Sequence, residues 1–484
     1  MGARADASLV AGLGFALSWA LRQHTFYKAD GDVYLMSIVE GNLRHPHHML
    51  YKPLVAGLHR LLAPAGLSLY EAGVLASALG TGLGVGCACW AARCLGLGRR
   101  DAWLVALTML SVPAVLFFAT VVELHGVYLG FAGPALLATA ALARRPTPAR
   151  GVWLGLALAL AYVGHASATL LPAVALGVCL SYPVQQGRTA QDASAARSLL
   201  ASAWALCVPM SCAAAVLAAC LGILPVLGRW LDLGVDTHSA AAYVVRDAAA
   251  FASDPRRWAS TLWFEWLLPY APCNALALVL CFAGRWRTPA RWLHLAVAPY
   301  YLLCVFLLPS PEFGAYLTPL AWPLALLVVR ALRPVAVVGV AALGFAGGLA
   351  WISAHDQPEL ARRFAAGASE AAQARPFYLL LGDHDDVKAT LVGLPDTGSL
   401  MLLHAGAVAA TQLPAVLDRL DALLREQWRA GRAVLLTAGA VRQLDEVVPS
   451  GPQVLPGLQS RYDLVAVDIR REDAVFSGWR LHPK

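Results

Sequence analysis

The 484-residue chain is 58% hydrophobic and only 14% charged, against about 25% charged residues in an ordinary soluble domain, which excludes a purely water-soluble protein. The net charge of +7 would suit a nucleic-acid binder, but the arginines gather at junctions between apolar runs, where they orient membrane segments instead. All ten cysteines lie at or before Cys304, in or beside apolar segments and without partners at zinc-ligand spacing, so neither a disulfide framework nor a zinc centre is indicated.

Apolar stretches approaching the roughly 20 residues that cross a bilayer recur along the chain. They predict about eleven transmembrane helices, near 7 to 22, 69 to 92, 102 to 119, 125 to 143, 151 to 164, 168 to 183, 199 to 226, 259 to 282, 292 to 309, 315 to 329 and 334 to 352. The first could instead be a cleaved signal peptide, but Arg22, Gln23, His24 and Thr25 stand where a small-residue cleavage site would be. Arg93, Arg99 and Arg100, then Arg144, Arg145 and Arg150, then Arg188 and Arg197 fill successive junctions. Arg285, Arg287 and Arg291, and finally Arg330 and Arg333, fill two more. These are every second connection, as the positive-inside rule requires for a cytoplasmic N-terminus. The first loop and everything beyond residue 353 are then extracytoplasmic. Little Lys beside much Ala, Gly and Arg suggests a GC-rich bacterial genome, and so the inner membrane.

Residues 26 to 60 concentrate titratable groups between two spans. Asp30 and Asp32 flank Gly31. Such a pair could serve as general base on a hydroxyl, hold a divalent cation such as Mg or Mn, or form a solvated turn pivoting on the glycine. His45, His47 and His48, with Tyr51 and Lys52, offer imidazoles and an ammonium for a phosphate or pyrophosphate, or make a structural loop. Glu123 and His125 sit at the outer boundary between the third and fourth spans, where ionisable groups are costly and tend to mark a cavity; the alternative is that they cap helix ends. His165 lies on the same side. In the loop 227 to 258, Arg246 and Arg257 oppose the orientation rule, which a lipid phosphate would explain. Glu265, Glu312 and Tyr316 stand among interfacial aromatics.

The tail divides into a linker, 353 to 374, and a soluble α/β domain, 375 to 484, after the transmembrane domain 1 to 352. The runs FYLLLG, SLMLLHAG, RAVLLTAG and YDLVAVDI read as buried strands, and residues 412 to 431 as an amphipathic helix. The run GDHDD, ending in Asp386, reads as a strand-end loop that could bind a metal or an acceptor. No P-loop or nucleophile-elbow motif is present, and the domain is expected to shape acceptor access.

The runs D-G-D-V-Y, H-P-H-H-M-L-Y-K-P and V-V-E-L-H-G-V-Y-L, over about residues 25 to 180, resemble a bacterial family related to protein O-mannosyltransferases. That family lies within the GT-C class of membrane glycosyltransferases and carries an early Asp and Glu, an H-P-P-G-Y-P-L-Y motif and an E-V-Y-x-L segment. This chain has one residue fewer between its acids, and His47 and His48 replace Pro and Gly. The resemblance implies a GT-C-like helical membrane fold, with Asp30 as catalytic base, Asp32 as the following acid and Glu123 as the acid of the third motif. It implies transfer of a sugar from a polyprenyl-phosphate donor to a hydroxyl on a glycan, lipid or protein at the outer face. Lys52, Arg246 or Arg257 would steady the departing phosphate. Partners are then the polyprenyl-phosphate sugar, the acceptor and membrane lipids, with no nucleic acid. A lipid or small-solute transporter or flippase is the competing class, and an inactive scaffold a third. Polar groups gathered at one face, without internal repeats, favour surface chemistry over transport.

Overall fold

The computed structural model describes residues 2–27, 29–44, 48–185, 193–230, 256, 259–260, 262–282, 312–382, 384–395, 397–402, 413–447 and 454–484. Contacts divide the chain into two compact units. The first comprises residues 1–22, 43–57 and 74–354, and the second residues 23–42, 58–73 and 355–484. The segment 23 to 42 of the first loop thus belongs with the tail.

Backbone groups in hydrocarbon must be satisfied within the segment, which makes apolar runs helical. The first unit accordingly contains α1 (Ala3–Ala20), α4 (Leu69–Cys94), α5 (Arg99–Leu110), α6 (Pro113–Ala119), α7 (Leu124–Arg144), α8 (Pro148–Gly164), α9 (Leu171–Gln185) and α10 (Ala193–Trp230). It continues through α11 (Cys273–Phe282), α12 (Ala321–Ala331) and α13 (Pro334–His355), and α3 (Tyr51–Leu62) begins in it. Among the described residues four helices are long and apolar enough to cross a membrane, or five if α5 and α6, bent by 72°, make one broken span. The apolar helices make this a membrane protein. Several expected spans are shorter or interrupted, and prolines supply the reason. Pro113 lacks the N–H that would continue α5, and the N–H of Ala114 donates instead to the Pro269 carbonyl at 3.0 Å. The expected span 259 to 282 is divided into a π-helical turn, Leu262–Leu267, and α11. The expected span 292 to 309 lies outside the described residues.

Glycines set the spacing within the first unit. Along α4, Gly80 and Gly84 are one turn apart on one side, while Gly82 and Gly86 lie on the other. A Cβ on Gly80 would stand 2.4 Å from the Gly126 carbonyl oxygen, and one on Gly84 2.7 Å from the Leu129 oxygen, both in α7. On the opposite side, Cβ atoms at Gly82 and Gly86 would stand 2.7 and 2.8 Å from the carbonyl oxygens of Ala11 and Ala7 in α1. The helix is therefore in backbone contact on both flanks.

In the second unit a five-stranded sheet has the order β2-β1-β3-β5-β4. Strands β1 (Phe377–Leu381), β2 (Gly398–Met401) and β3 (Ala433–Thr437) are parallel, whereas β4 (Tyr462–Arg470) and β5 (Val475–Pro483) form an antiparallel hairpin joined to β3. Strand β1 is buried at four consecutive residues, as expected where helices cover both faces. One face meets Leu420 and Leu424 of the helix Leu413–Arg429 and Leu458 of the helix Val454–Arg461. Phe364 of α14 (Pro358–Ala371) packs against Phe476 of β5, their ring centroids 6.1 Å apart. The edge strand β4 is largely exposed. Residues 23 to 25 are fastened to the start of the tail. The backbone N–H of His24 donates to Asp356 Oδ1 at 2.7 Å, and the N–H of Gln357 to Thr25 Oγ1 at 2.8 Å. From there α2 (Ala29–Val39) packs on α15 (His384–Gly393).

Replacing Gly80 by Val forces branched carbon into backbone that cannot recede, at a cost of about 1–3 kcal/mol or more. Gel filtration in detergent should show Gly80→Val losing most of its monodisperse protein. Gly12→Ala, whose Cβ meets nothing within 4 Å, should match the wild type.

Candidate functional site

Two groups of polar residues are built into the fold, one in each unit. The first gathers around the start of α7. Ser77 Oγ donates to the Glu123 carbonyl at 2.7 Å. Glu123 is the N-cap of α7, its carboxylate accepting from the Leu124 N–H at 3.0 Å, where the positive end of the helix favours a negative charge. His125 follows, with Nε2 3.9 Å from that carboxylate. Its ring lies 5.4 Å from His165, which is flanked by Tyr128 at 4.9 Å, Tyr316 at 5.3 Å and His48 at 4.5 Å between centroids. Glu123, His125, His165 and Tyr128 are all buried.

The orientation of His165 follows from its position. It ends α8 and caps the next turn, where its Nδ1 accepts from the Ser167 N–H at 2.9 Å. An accepting Nδ1 puts the ring proton on Nε2, a donor for an anionic oxygen. Nearby in sequence, Tyr51 and Lys52 open α3 and are buried, and Lys52 Nζ donates to the Arg44 carbonyl at 2.8 Å. Glu265 has a different employment. Its carboxylate accepts from the N–H groups of Glu312 and Gly314 and so holds the turn before Tyr316, in which Phe313 and Gly314 have positive φ.

The second group joins two distant parts of the sequence. Asp32 lies in α2 and is completely buried. Its Oδ2 meets Nδ1 of His384, the first residue of α15, at 2.9 Å, and its Oδ1 has no hydrogen-bond partner among the described residues. Burial pushes the Asp32 carboxyl above its ordinary value of 3.8, while the His384 hydrogen bond and the charges of His384 and Lys388 act against that rise. Lys388 in turn lies 3.6 Å from Asp385.

Sequence reasoning placed Asp32, His48, Tyr51, Lys52, Glu123 and His125 among the site residues. The structure brings His48, Glu123 and His125 into the first group and Asp32 into the second. Gly31 is helical, so residues 30 and 32 do not flank a turn; two steps of an α-helix set them about 200° apart around the axis. The side chain of Asp30 lies outside the described residues, as do His45, His47, Arg246 and Arg257. The described residues fit a metal poorly. One Asp32 oxygen is taken by an imidazole, and among the described residues no three His, Cys, Asp or Glu side chains are grouped to hold an ion. His384 and Tyr128 were missed; the only signal for His384 was the charged run after β1.

The architecture has a solved counterpart. Crystal structures of ArnT from Cupriavidus metallidurans match it. The form bound to undecaprenyl phosphate gives a TM-score of 0.57 at 14% identity, covering 98% of this chain and 97% of that one. The chain shares the ArnT fold. The apo form gives 0.51 at 14% identity, covering 98% and 96%. A helical membrane architecture was the expectation from the sequence, and the ArnT likeness meets it in fold. No family model and no curated protein sequence matches the chain.

Two substitutions separate structural from chemical roles. Glu123→Ala removes the cap of α7 and should destabilise the protein by about 0.5–2 kcal/mol, read as a lower unfolding temperature; Glu123→Gln keeps an acceptor oxygen and should unfold near the wild type. For Asp32 the sign reverses. A raised carboxyl pKa means the folded state binds the proton more tightly than the unfolded one, so stability declines as pH rises from 3.8 through the raised value. Asn has no charge to bury and still offers His384 an acceptor. At neutral pH Asp32→Asn should therefore unfold at a higher temperature than the wild type, and the difference should close in acid.

Proposed function

We propose that this chain is a glycosyltransferase that moves a sugar from a polyprenyl-phosphate donor to an acceptor hydroxyl at the outer face of a bacterial inner membrane. The observation that carries the reading is the fold shared along nearly the whole chain with ArnT, one of whose structures is bound to undecaprenyl phosphate. The resemblance of the early motifs to relatives of the protein O-mannosyltransferases supports it independently, as does the cluster of buried ionisable groups around the start of α7.

In this reading the acceptor oxygen attacks the anomeric carbon and the bond from that carbon to the phosphate breaks, its electron pair leaving with polyprenyl phosphate. The departing anion is met by the donors around α7: Nε2–H of His165, the His125 ring, and the phenols of Tyr128 and Tyr316. Lys52, with His45, His47, His48, Tyr51, Arg246 and Arg257 from the sequence reading, completes the donor-binding set. The acceptor's proton goes to a base at the start of α2, where Asp30 and Asp32 lie. Glu123 holds the His125 end of the cluster and carries the charge that balances its imidazole.

Purified protein incubated with a panel of polyprenyl-phosphate sugars and acceptor alcohols should release free polyprenyl phosphate. His165→Ala should chiefly raise the donor KM, and EDTA should leave the rate unchanged. No release from any donor by monodisperse wild-type protein would overturn the assignment.

A further inference from the structure

Arginines of the tail fall into two sorts. Arg362, Arg425, Arg461, Arg470 and Arg471 each form an ion pair with a carboxylate. Arg375, Arg432 and Arg480 meet no carboxylate among the described residues, and all three line one cleft of about 70 Å³. Gln373, Trp428 and His482 stand in the same wall, and among the described residues no acidic side chain does.

The chain builds this cleft from three directions, all within the second unit. After α14 ends, Gln373 and Ala374 both take a φ of 57°, their N–H groups bonded back to the carbonyls of Glu370 and Ser369. Two successive left-handed residues without glycine are costly, and the reversal they make brings Arg375 to the cleft. Gly431, left-handed at φ 74°, turns the chain out of the helix Leu413–Arg429 and into Arg432. Arg480 and His482, two apart in β5, stand on one face of the sheet.

Two of the guanidiniums are held in place by the fold itself. Nε of Arg480 donates to the Ala371 carbonyl at 3.0 Å, and Nη1 of Arg432 donates to Gln427 Oε1 at 3.0 Å. Each bond uses one of the several N–H donors on its guanidinium, so the fork is oriented and largely unspent. Three like charges around one cleft repel, and an anion seated among them removes that cost. The guanidinium plane matches phosphate oxygens two at a time. A carboxylate has oxygens for one such fork, whereas a phosphate can be shared among several.

We propose that the cleft between the end of α14 and the start of β3 binds a phosphate group through Arg375, Arg432 and Arg480, with the carbon attached to that phosphate lying against Trp428. The site asks nothing of the sugar-transfer reading and stands whether or not a sugar is moved. The phosphate can belong to a water-soluble ester or to the headgroup of an anionic lipid.

Two measurements on the full-length protein in detergent test this and separate the two sources. Calorimetry at low salt with glycerol 3-phosphate should give one bound molecule per chain, and added NaCl should weaken it. The side chain of Arg375 makes no hydrogen bond within the described fold, so Arg375→Gln should elute and unfold as wild type does while its Kd rises about tenfold or more. Arg432→Gln should weaken binding to a similar degree, and Arg375→Lys, a charge without the fork, should fall between. In the second measurement, unfolding midpoints are compared in mixed micelles containing phosphatidylglycerol or phosphatidylcholine. A rise with phosphatidylglycerol that Arg375→Gln abolishes, without binding of glycerol 3-phosphate, assigns the site to a lipid headgroup; the reverse assigns it to a soluble ester. Binding within threefold of wild type in both Arg375→Gln and Arg432→Gln, or lost only in His165→Ala, would place the anion at the α7 group and overturn the proposal. So would the lack of any arginine-dependent response to either probe.

Discussion

The close approach of α4 to the helices on either side is the contact on which the first unit depends. In a bilayer no hydrophobic effect drives helix on helix, so association rests on van der Waals proximity and hydrogen bonds, and small residues permit both. Gly80 and Gly84 bring α7 into backbone contact, and Gly82 and Gly86 do the same for α1. That proximity lets Ser77 reach the Glu123 carbonyl and so fixes the first turn of α7. The placement of His125 and its neighbours follows from a run of residues with no side chain at all.

Two buried carboxylates show how the surroundings separate a structural acid from a chemical one. Glu265 accepts two backbone N–H groups and thereby stabilises a turn of unusual backbone conformation. Removing it would strand those donors, so its retention needs no ligand. Asp32 is as deeply buried, yet among the described residues only one of its oxygens has a hydrogen-bond partner, and that partner is an imidazole with an exposed side. A half-satisfied buried carboxylate is a poor way to stabilise a fold. It is an effective way to hold an imidazole in one tautomer.

Hydropathy located apolar helices of the first unit because the bilayer imposes one requirement on each span, although among the described residues only four, or five with the bent pair, are long and apolar enough to cross. It misjudged continuity at Pro113, although Pro134 in α7 and Pro209 and Pro225 in α10 leave those helices unbroken. In the tail the four apolar strand runs were readable, but β5 was not: VFSGWRLHP mixes polar and apolar residues because only one side is packed. A solvated turn on Gly31 was one of the readings left open for the Asp30 and Asp32 pair, and that local preference is overridden where α2 packs on α15. The hydrogen bond between Asp32 and His384 spans 352 positions. No spacing rule reaches that far.

The same contrast explains how a fold can be shared with ArnT at 14% identity. Any apolar helix former satisfies a membrane span, so most positions are free to drift while the architecture persists. The residues that do not fit this tolerance are the informative ones: a histidine ending α8 with its ring 5.4 Å from that of His125 in α7, and an aspartate buried at a net electrostatic disadvantage. The aspartate breaks a local rule without improving stability, and such violations are expected where stability has been given up for chemistry. The fold narrows the reaction class only by analogy.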